Sequence, residues 1–131
     1  VWISFLKASG RITDPVDIGY LMAQSAEEAC NLAVHLGGSK ETFSGASIPW
    51  TATFTALCMD GLWHKFGTET GKASKKGKPV RPVFEKIKAQ YEQNNVHIQA
   101  LDDIAAVLAC AASFNLEMNV LQQAHDTFFN D

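Results

Sequence analysis

The chain has 131 residues, of which 47% are apolar and 19% are charged, and its formal net charge is −3. This length and balance predict one globular domain over residues 1–131, with a core large enough to fold without disulfides or metal ions. We expect no membrane-spanning segment, because no apolar run approaches the roughly 18 residues that a membrane span requires.

Three isolated cysteines further limit the classes of protein. Cys30, Cys58 and Cys110 lie singly in apolar segments, without the paired spacing of a disulfide framework or a zinc site. We interpret them as small apolar core residues in a reducing compartment, either the cytoplasm or a virion. The chain begins with Val1 rather than Met, and its first apolar run is too short for a signal-peptide core. Targeting information is therefore expected to be missing from this sequence rather than absent.

The first part of the chain contains two helix start signals. A short apolar run over 1–6 fits either a strand or a first helical turn. Asp14 before Pro15 predicts the start of a helix that continues to about residue 24. The segment Ser25–Glu28 has the S-x-x-E spacing of a capping box, so a separate helix is predicted over 25–36, with two glycines ending it.

The middle of the chain predicts one long helix and then a long loop. From Trp50 to Phe66 apolar residues recur every three or four positions, which predicts one amphipathic helix that Gly67 ends. Threonines alternate with apolar residues over 50–57, so a strand stays open there. Residues 67–79 contain glycine, lysine, serine and threonine without an apolar period, and we predict a surface loop.

The last part of the chain predicts three further features of a helical bundle. Pro79 and Pro82 bracket the start of an amphipathic helix, which two asparagines end. Residues 96–114 are almost entirely apolar after two aspartates, so we predict a buried central helix there. Asn115 ends it, and a last helix is predicted over 116–129. The fold class is therefore all-α, a compact bundle of five to six helices around 96–114.

Positive charge is concentrated in residues 65–88. This segment contains eight of the eleven Lys and Arg residues and only two acids, so it sums to +6 while the other residues sum to −9. The residues that we expect to contact a polyanion are Lys65, Lys72, Lys75, Lys76, Lys78, Arg81, Lys86 and Lys88. About five to seven phosphate contacts would supply affinity by counterion release, whereas flexible lysines are poorly suited to reading bases. A solvated loop that keeps the protein soluble is the simpler interpretation.

Acidic pairs open two of the predicted helices. Carboxylates on facing helices of an α-helical bundle can hold Mg²⁺ for nucleotide hydrolysis. The matching stretches are Glu27-Glu28-Ala29-Cys30-Asn31 and Gln99-Ala100-Leu101-Asp102, followed by Phe114-Asn115-Leu116-Glu117-Met118. With these stretches the chain resembles the all-α nucleoside triphosphate pyrophosphohydrolases of the MazG type, which have an EExxE helix, an ExxD helix and a helix that closes in a GIDL-like turn.

The resemblance implies a set of metal ligands. These would be Glu27, Glu28 and Asp102. Asn31 and Gln99 stand at two positions where the family has acids. Acids at the start of a helix also stabilise the helix dipole, which is the alternative explanation of these carboxylates.

We predict neither a cofactor nor a resident metal ion. The four histidines lie on separate elements without metal-ligand spacing. They are His35, His64, His97 and His125. The aromatic residues near both ends of the chain are candidates for contacts between subunits or for core packing: Trp2, Phe5, Phe128 and Phe129.

The sequence therefore favours a non-enzymatic, self-assembling helical protein such as a capsid or nucleoprotein subunit. We expect it to form homo-oligomers and to contact nucleic acid or another polyanion through the basic loop, without sequence specificity. The alternative is a divergent Mg²⁺-dependent pyrophosphohydrolase. A protein-only adaptor whose lysines merely increase solubility is a third interpretation.

Overall fold

The structure, a computed structural model, describes residues 1–59, 61–96 and 102–130. Within these ranges the chain forms helices and no strands. The helices are α1 (Trp2–Ser9), α2 (Pro15–His35), α3 (Lys40–Phe43), α4 (Ile48–Met59), α5 (Leu62–Lys75), α6 (Val80–Gln93), α7 (Ile104–Ser113) and α8 (Asn119–Phe129). Six of them have ten or more residues, so the prediction of an all-α fold with five to six helices is confirmed. In the described ranges no helix combines the length and the apolar composition needed to cross a bilayer.

Four phenylalanines from four helices form the centre of the core. Phe5, Phe66, Phe84 and Phe128 are each at most 1% exposed. The Phe84 ring stacks on Phe128 with 4.8 Å between centroids and meets Phe66 edge-on at 5.1 Å. Phe5 meets Phe128 edge-on, also at 5.1 Å. The core therefore lies between α1, α5, α6 and α8, and Phe5 and Phe128 pack inside one chain rather than at its surface.

Helices α1 and α5 lie side by side, run in the same direction and approach unusually closely. A Cβ atom built on Gly67 would lie 2.1 Å from the carbonyl oxygen of Val1, and one built on Gly71 would lie 2.5 Å from that of Phe5. Both distances are far below van der Waals contact, so only glycine permits this approach. Thr70, between the two glycines, is fully buried and donates its hydroxyl to the Phe66 carbonyl at 3.0 Å.

The predicted basic loop over 67–79 is therefore wrong for most of its length. α5 continues through both glycines to Lys75, and only residues 76–79 connect it to α6. Glycine disfavours a helix by about 1 kcal/mol per residue relative to alanine. Burial of the glycine face against α1 offsets that cost, which is a tertiary effect that local composition does not reveal.

The predicted helix from Trp50 to Phe66 is interrupted. α4 ends at Met59, and α5 begins after Gly61, whose backbone has a positive φ of 90° that favours glycine. Gly61 rather than Gly67 therefore separates the two helices. The strand left open over 50–57 is also wrong, because this stretch belongs to α4.

The two helices predicted over 15–24 and 25–36 form one continuous helix, α2. Its predicted start is confirmed, because the Asp14 carboxylate accepts a hydrogen bond from the Val16 amide at 2.7 Å. The predicted capping box is wrong. The Ser25 hydroxyl donates to the Leu21 carbonyl at 2.7 Å, one turn back in the same helix, so the chain does not break there.

The predicted central helix over 96–114 lies at the surface where it is described. α7 buries Ile104 and Ala111, but most of its other alanines are exposed. Residues 97–101 lie outside the described part of the chain. Asn115 ends α7 with a φ of 55°, as predicted, whereas the last helix begins at Asn119 instead of residue 116. The apolar composition of α7 is thus not explained by burial in the middle of the bundle.

Candidate polyanion-binding surface

The structure places the eight predicted cations on three segments of the chain. Lys65, Lys72 and Lys75 lie on α5, Lys76 and Lys78 lie on the connection that follows, and Arg81, Lys86 and Lys88 lie on α6. Two of these eight have acidic partners in the described residues, and six have no ion pair there.

Arg81 is held by contacts within the protein. Its Nε donates to Glu85 Oε1 at 3.1 Å, and its Nη1 donates to the Phe129 carbonyl at 3.1 Å. These bonds join the first turn of α6 to the end of α8. The guanidinium of Arg81 therefore stabilises the fold, and it is not a free cation that could contact a polyanion.

The positive charge of Lys88 is balanced by two acidic side chains. Its amine donates to the Asp102 carboxylate and lies 3.6 Å from Glu92 Oε1. The hydrogen bond to Asp102 raises the pKa of the Lys88 amine. Lys86 is two residues away and therefore points about 200° around the helix from Lys88. The two lysines of α6 do not form one surface, contrary to the single patch predicted from the sequence.

Four free lysines gather at the C-terminal end of α5. Lys72, Lys75, Lys76 and Lys78 are all exposed, and none has an ion pair in the part of the chain that the structure describes. Lys65 is ten residues before Lys75 and thus about 15 Å away along the helix axis. Of the predicted surface, the C-terminal end of α5 and the turn after it therefore retain a group of free lysines.

The end of α1 adds two cations that sequence reasoning missed. Because α1 and α5 run in the same direction, their C-terminal ends meet, and Lys75 Cε lies 4.0 Å from a Cβ built on Gly10. Lys7 occupies the last turn of α1, and Arg11 follows it with its guanidinium 5.2 Å from the centre of the Phe5 ring. About 60 positions separate Lys7 and Arg11 from the lysines of α5, so no local sequence pattern predicts that they are neighbours. The close contacts of Gly67 and Gly71 with α1 bring the two helix ends together.

We call this surface the basic end and define it by six residues. They are Lys7, Arg11, Lys72, Lys75, Lys76 and Lys78. Cations in the last turn of a helix stabilise its dipole, but the two helix ends together offset only about one unit of charge. Glu69, the acid nearest along α5, lies beside Tyr91, whose pKa is raised by burial and by that carboxylate. In the described residues none of the six cations forms an ion pair, so the basic end carries an excess of positive charge.

Glu28, one of the three carboxylates that the MazG-type resemblance implies as metal ligands, has another role in the structure. Glu28 is buried, and its Oε1 and Oε2 accept hydrogen bonds from the backbone amides of Val120 at 2.8 Å and Leu121 at 3.3 Å. These amides belong to the first turn of α8, whose N–H groups have no partner within the helix. Glu28 thus caps α8 from a helix more than ninety residues earlier.

The other implied ligands do not join Glu28. Glu27 is exposed, and Asp102 is paired with Lys88. Among the described residues no three His, Cys, Asp or Glu side chains come close enough together to hold a metal ion. Gln99, part of the same motif, lies outside the described residues. Metal binding at the implied positions would require Glu28 and Asp102 to leave their present partners.

Replacement of Glu28 tests whether its carboxylate caps α8 or binds a metal ion. Glu28→Ala is expected to lower the free energy of unfolding by about 1–3 kcal/mol, because the buried Val120 amide and the partly buried Leu121 amide lose their acceptor. Glu27→Ala, the control on the exposed side of the same helix, should change it by less than about 0.5 kcal/mol. Urea unfolding followed by circular dichroism measures both, with EDTA and with Mg²⁺. Equal losses in the two variants, or stabilisation of the native chain alone by Mg²⁺, would contradict the capping role.

A contact between a serine and a histidine lies between α1 and α5. His64 Nδ1 is 3.1 Å from Ser4 Oγ and 3.3 Å from the Cys58 carbonyl oxygen. Ser4 is only 1% exposed, so no substrate reaches its hydroxyl. Burial raises the pKa of the Cys58 thiol, which disfavours the nucleophilic thiolate. Burial of the Ser4 hydroxyl and the raised pKa of the Cys58 thiol therefore both disfavour nucleophilic attack from this cluster.

Comparison of the chain with protein-family models, with curated proteins and with solved structures finds no match. The resemblance to the MazG-type enzymes therefore rests on the quoted residues alone.

Proposed function

We propose that this protein is a non-enzymatic, self-associating helical protein that binds the phosphate backbone of nucleic acid through the basic end. One observation carries the proposal: six exposed cations lie at or just after the C-terminal ends of α1 and α5, which meet where Lys75 Cε lies 4.0 Å from a Cβ built on Gly10, and none of the six has an acidic partner in the described residues. A capsid or nucleoprotein subunit combines these properties, namely a compact helical body, contacts between copies and one basic surface.

The charge of the rest of the chain supports a single binding surface. The basic end contributes +6, and the remaining charges sum to −9. An acidic body repels phosphates, so a polyanion would approach only from the basic end. This distribution orients the protein on its partner, which a uniformly basic protein would not achieve.

The chemistry of the cations favours an extended phosphate backbone over a small anion. Five of the six are lysines, whose ammonium groups act as flexible point charges rather than as a rigid fork. The ends of α1 and α5 at this surface are C-terminal, so they present carbonyl groups and no free N–H donors. Affinity would come from many weak phosphate contacts and would not depend on base sequence.

The salt dependence of RNA binding tests the proposal. Six phosphate contacts on a single strand predict that log K falls with log salt with a slope of about −4. The variant Lys72→Gln/Lys75→Gln/Lys76→Gln/Lys78→Gln is expected to flatten that slope by about 3 and to abolish measurable binding at physiological salt. Fluorescence anisotropy of labelled polyuridine of about 20 nucleotides, longer than common single-strand site sizes, measures both.

Matched variants and a second polymer make this test decisive. Lys40→Gln/Lys65→Gln/Lys86→Gln removes three exposed lysines that do not belong to the basic end and should leave the slope nearly unchanged. Circular dichroism verifies that both variants stay folded. An equal loss in both variants would overturn the basic end as the site. Competition by polyglutamate as strong as that by polyuridine would overturn phosphate recognition in favour of an acidic polypeptide.

A further inference from the structure

A cleft between α2, α3 and α4 lies in a part of the chain that the basic end does not include. Its volume of about 490 Å³ falls within the roughly 300–1,000 Å³ typical of small-molecule sites. One wall belongs to α2 and another to α4, and α3 with the turn after it provides the remaining lining. On α2, Glu27 and Asn31 are four residues apart, so they lie on the same side of the helix and both line the cleft.

Contacts between side chains hold α3 and α4 together beside this cleft. The Phe43 ring of α3 meets the Trp50 ring of α4 edge-on, with 5.4 Å between centroids, and the Trp50 ring lies 6.1 Å from that of Phe54. The Thr51 hydroxyl donates to the Gly45 carbonyl at 3.0 Å, which joins the start of α4 to the segment after α3. The fold alone therefore forms the cleft, without a ligand to shape it.

Two side chains of opposite charge line the cleft without an ion pair. They are Glu27 of α2 and Lys40 of α3, and neither forms a salt bridge within the described ranges. Glu41, the acid next to Lys40, does not line the cleft and accepts a hydrogen bond from the Ser39 hydroxyl at 2.7 Å. That hydrogen bond is the largest cause that lowers the pKa of Glu41, and the charge of Lys40 is the smallest. Both charges of the cleft are thus available to a ligand.

The remaining lining combines polar groups with an apolar part. The side chains of Asn31 and Ser44 make no hydrogen bond with any described residue. Cys30 is only 7% exposed, and Met22 and Phe54 are half-buried. An apolar group that enters the cleft would be removed from water against these three side chains. A few polar groups beside an apolar lining are typical of a small-molecule site.

We propose that this cleft binds a small zwitterion with an apolar body, the chemistry that a free apolar amino acid and a short apolar peptide share. Glu27 would receive the ammonium group, Lys40 would receive the carboxylate, and the apolar side chain would contact Cys30 and Phe54. A ligand with one sign of charge would meet one repulsive side chain, whereas a zwitterion matches both. This binding goes beyond the proposed function and does not depend on the basic end.

The amide chemical shifts of the native chain, followed by nuclear magnetic resonance during a titration with L-leucine, test the inference. We expect shifts in α2 near Glu27 and in α3 near Lys40, with a dissociation constant of about 1 mM or lower. N-acetyl-L-leucine lacks the ammonium group, and L-leucinamide lacks the carboxylate. Each should bind about 10-fold more weakly than leucine, because each leaves one charge of the cleft without a partner.

Variants of the two charged residues test which part of the ligand each one binds. Glu27→Gln is expected to weaken leucine binding about 10-fold and to bind leucine and N-acetyl-L-leucine with nearly equal affinity. Lys40→Gln should do the same for leucine and L-leucinamide. Glu117→Gln and Lys86→Gln, which alter exposed residues outside the cleft, should keep the native affinity and selectivity. Circular dichroism verifies that these exposed substitutions leave the fold intact.

The outcomes of the titration are distinct. Tighter binding of leucyl-leucine than of leucine assigns the cleft to short peptides, and weaker binding assigns it to free amino acids. No shift with either compound at about 10 mM, ten times the weakest dissociation constant expected, would overturn the inference. L-leucinamide or N-acetyl-L-leucine binding as tightly as leucine would contradict recognition of a zwitterion. Shifts confined to residues outside α2, α3 and α4 would place the binding elsewhere and overturn the cleft as the site.

Discussion

Gly71→Ala is expected to lower the free energy of unfolding by about 3 kcal/mol, because the added methyl group has no room between α1 and α5. Its position would be 2.5 Å from the Phe5 carbonyl oxygen and 2.9 Å from Ala8 Cβ. Neither neighbour is the end of a flexible side chain, so whole helices would have to move apart. The gain in helix propensity from alanine, about 1 kcal/mol, is too small to compensate.

Gly19→Ala provides the matched control for Gly71→Ala. Gly19 also lies inside a helix, but a Cβ atom there would have nothing within 4 Å. The same substitution should therefore stabilise the protein by about 0.5–1 kcal/mol. Urea unfolding measures both variants, and hydrogen exchange should show lost protection in α1 for Gly71→Ala only. A Gly71→Ala variant as stable as the native chain would contradict the close approach of α1 and α5.

Phe84→Ala is expected to lower the free energy of unfolding by about 3–5 kcal/mol, the largest single effect that we predict. Phe84 is 1% exposed, and its ring contacts Phe66, Phe128 and Phe129 at centroid distances of 5.1, 4.8 and 5.3 Å. Its removal would leave a cavity that three helices border. For a domain with a total stability of about 5–15 kcal/mol, this loss is a large share.

Thermal unfolding measures the effect of Phe84→Ala against an exposed aromatic residue. The Tm should fall by roughly 10–20 °C, from the usual relation between Tm and stability for domains near this size. Tyr20→Ala removes an aromatic ring that is 71% exposed and should change stability by less than about 0.5 kcal/mol. If the two variants lose the same stability, Phe84 is not the centre of the core.

Local chemistry explains why several helix ends could be predicted from the sequence. Asp14 caps α2, Pro79 precedes α6, and Asn115 ends α7, each at its predicted place. Capping and the fixed φ of proline involve only a few neighbouring residues, so a short segment contains the whole signal. These signals also allowed the all-α class to be predicted before any packing was known.

The predictions from the sequence are wrong where contacts between residues that are distant in sequence determine the structure. Gly67 and Gly71 favour a loop locally, but contact with α1 places them in a helix. Glu28 belongs to a capping pattern within its own segment, yet its carboxylate caps α8. For α7, apolar composition predicted burial within the chain, whereas much of the helix is exposed. For the two glycines and for Glu28 the outcome depends on a contact with a residue far away in sequence, which composition and periodicity do not contain.

The candidate binding surface also contains a part that local sequence predicts and a part that depends on packing. Four of its lysines could be predicted because they are neighbours in sequence. The hydrogen bond from Arg81 to the Phe129 carbonyl and the ion pair between Lys88 and Asp102 join segments that are distant in sequence, and the packing of α1 against α5 brings Arg11 to this end of the fold. The sequence thus identified the positive region, and the fold determines which cations are free.

The packing of Phe5 against Phe128 has a consequence for the order of folding during synthesis. The contact between α1 and α5 involves residues only up to Lys75, which are made well before α8. The aromatic core, in contrast, needs α8, which is made much later. Closing so long a loop is slow, and until then Phe66 and Phe84 stay exposed to solvent. All six cations of the basic end are thus synthesised before the core can close, and the period of greatest risk of aggregation would come just before α8 emerges.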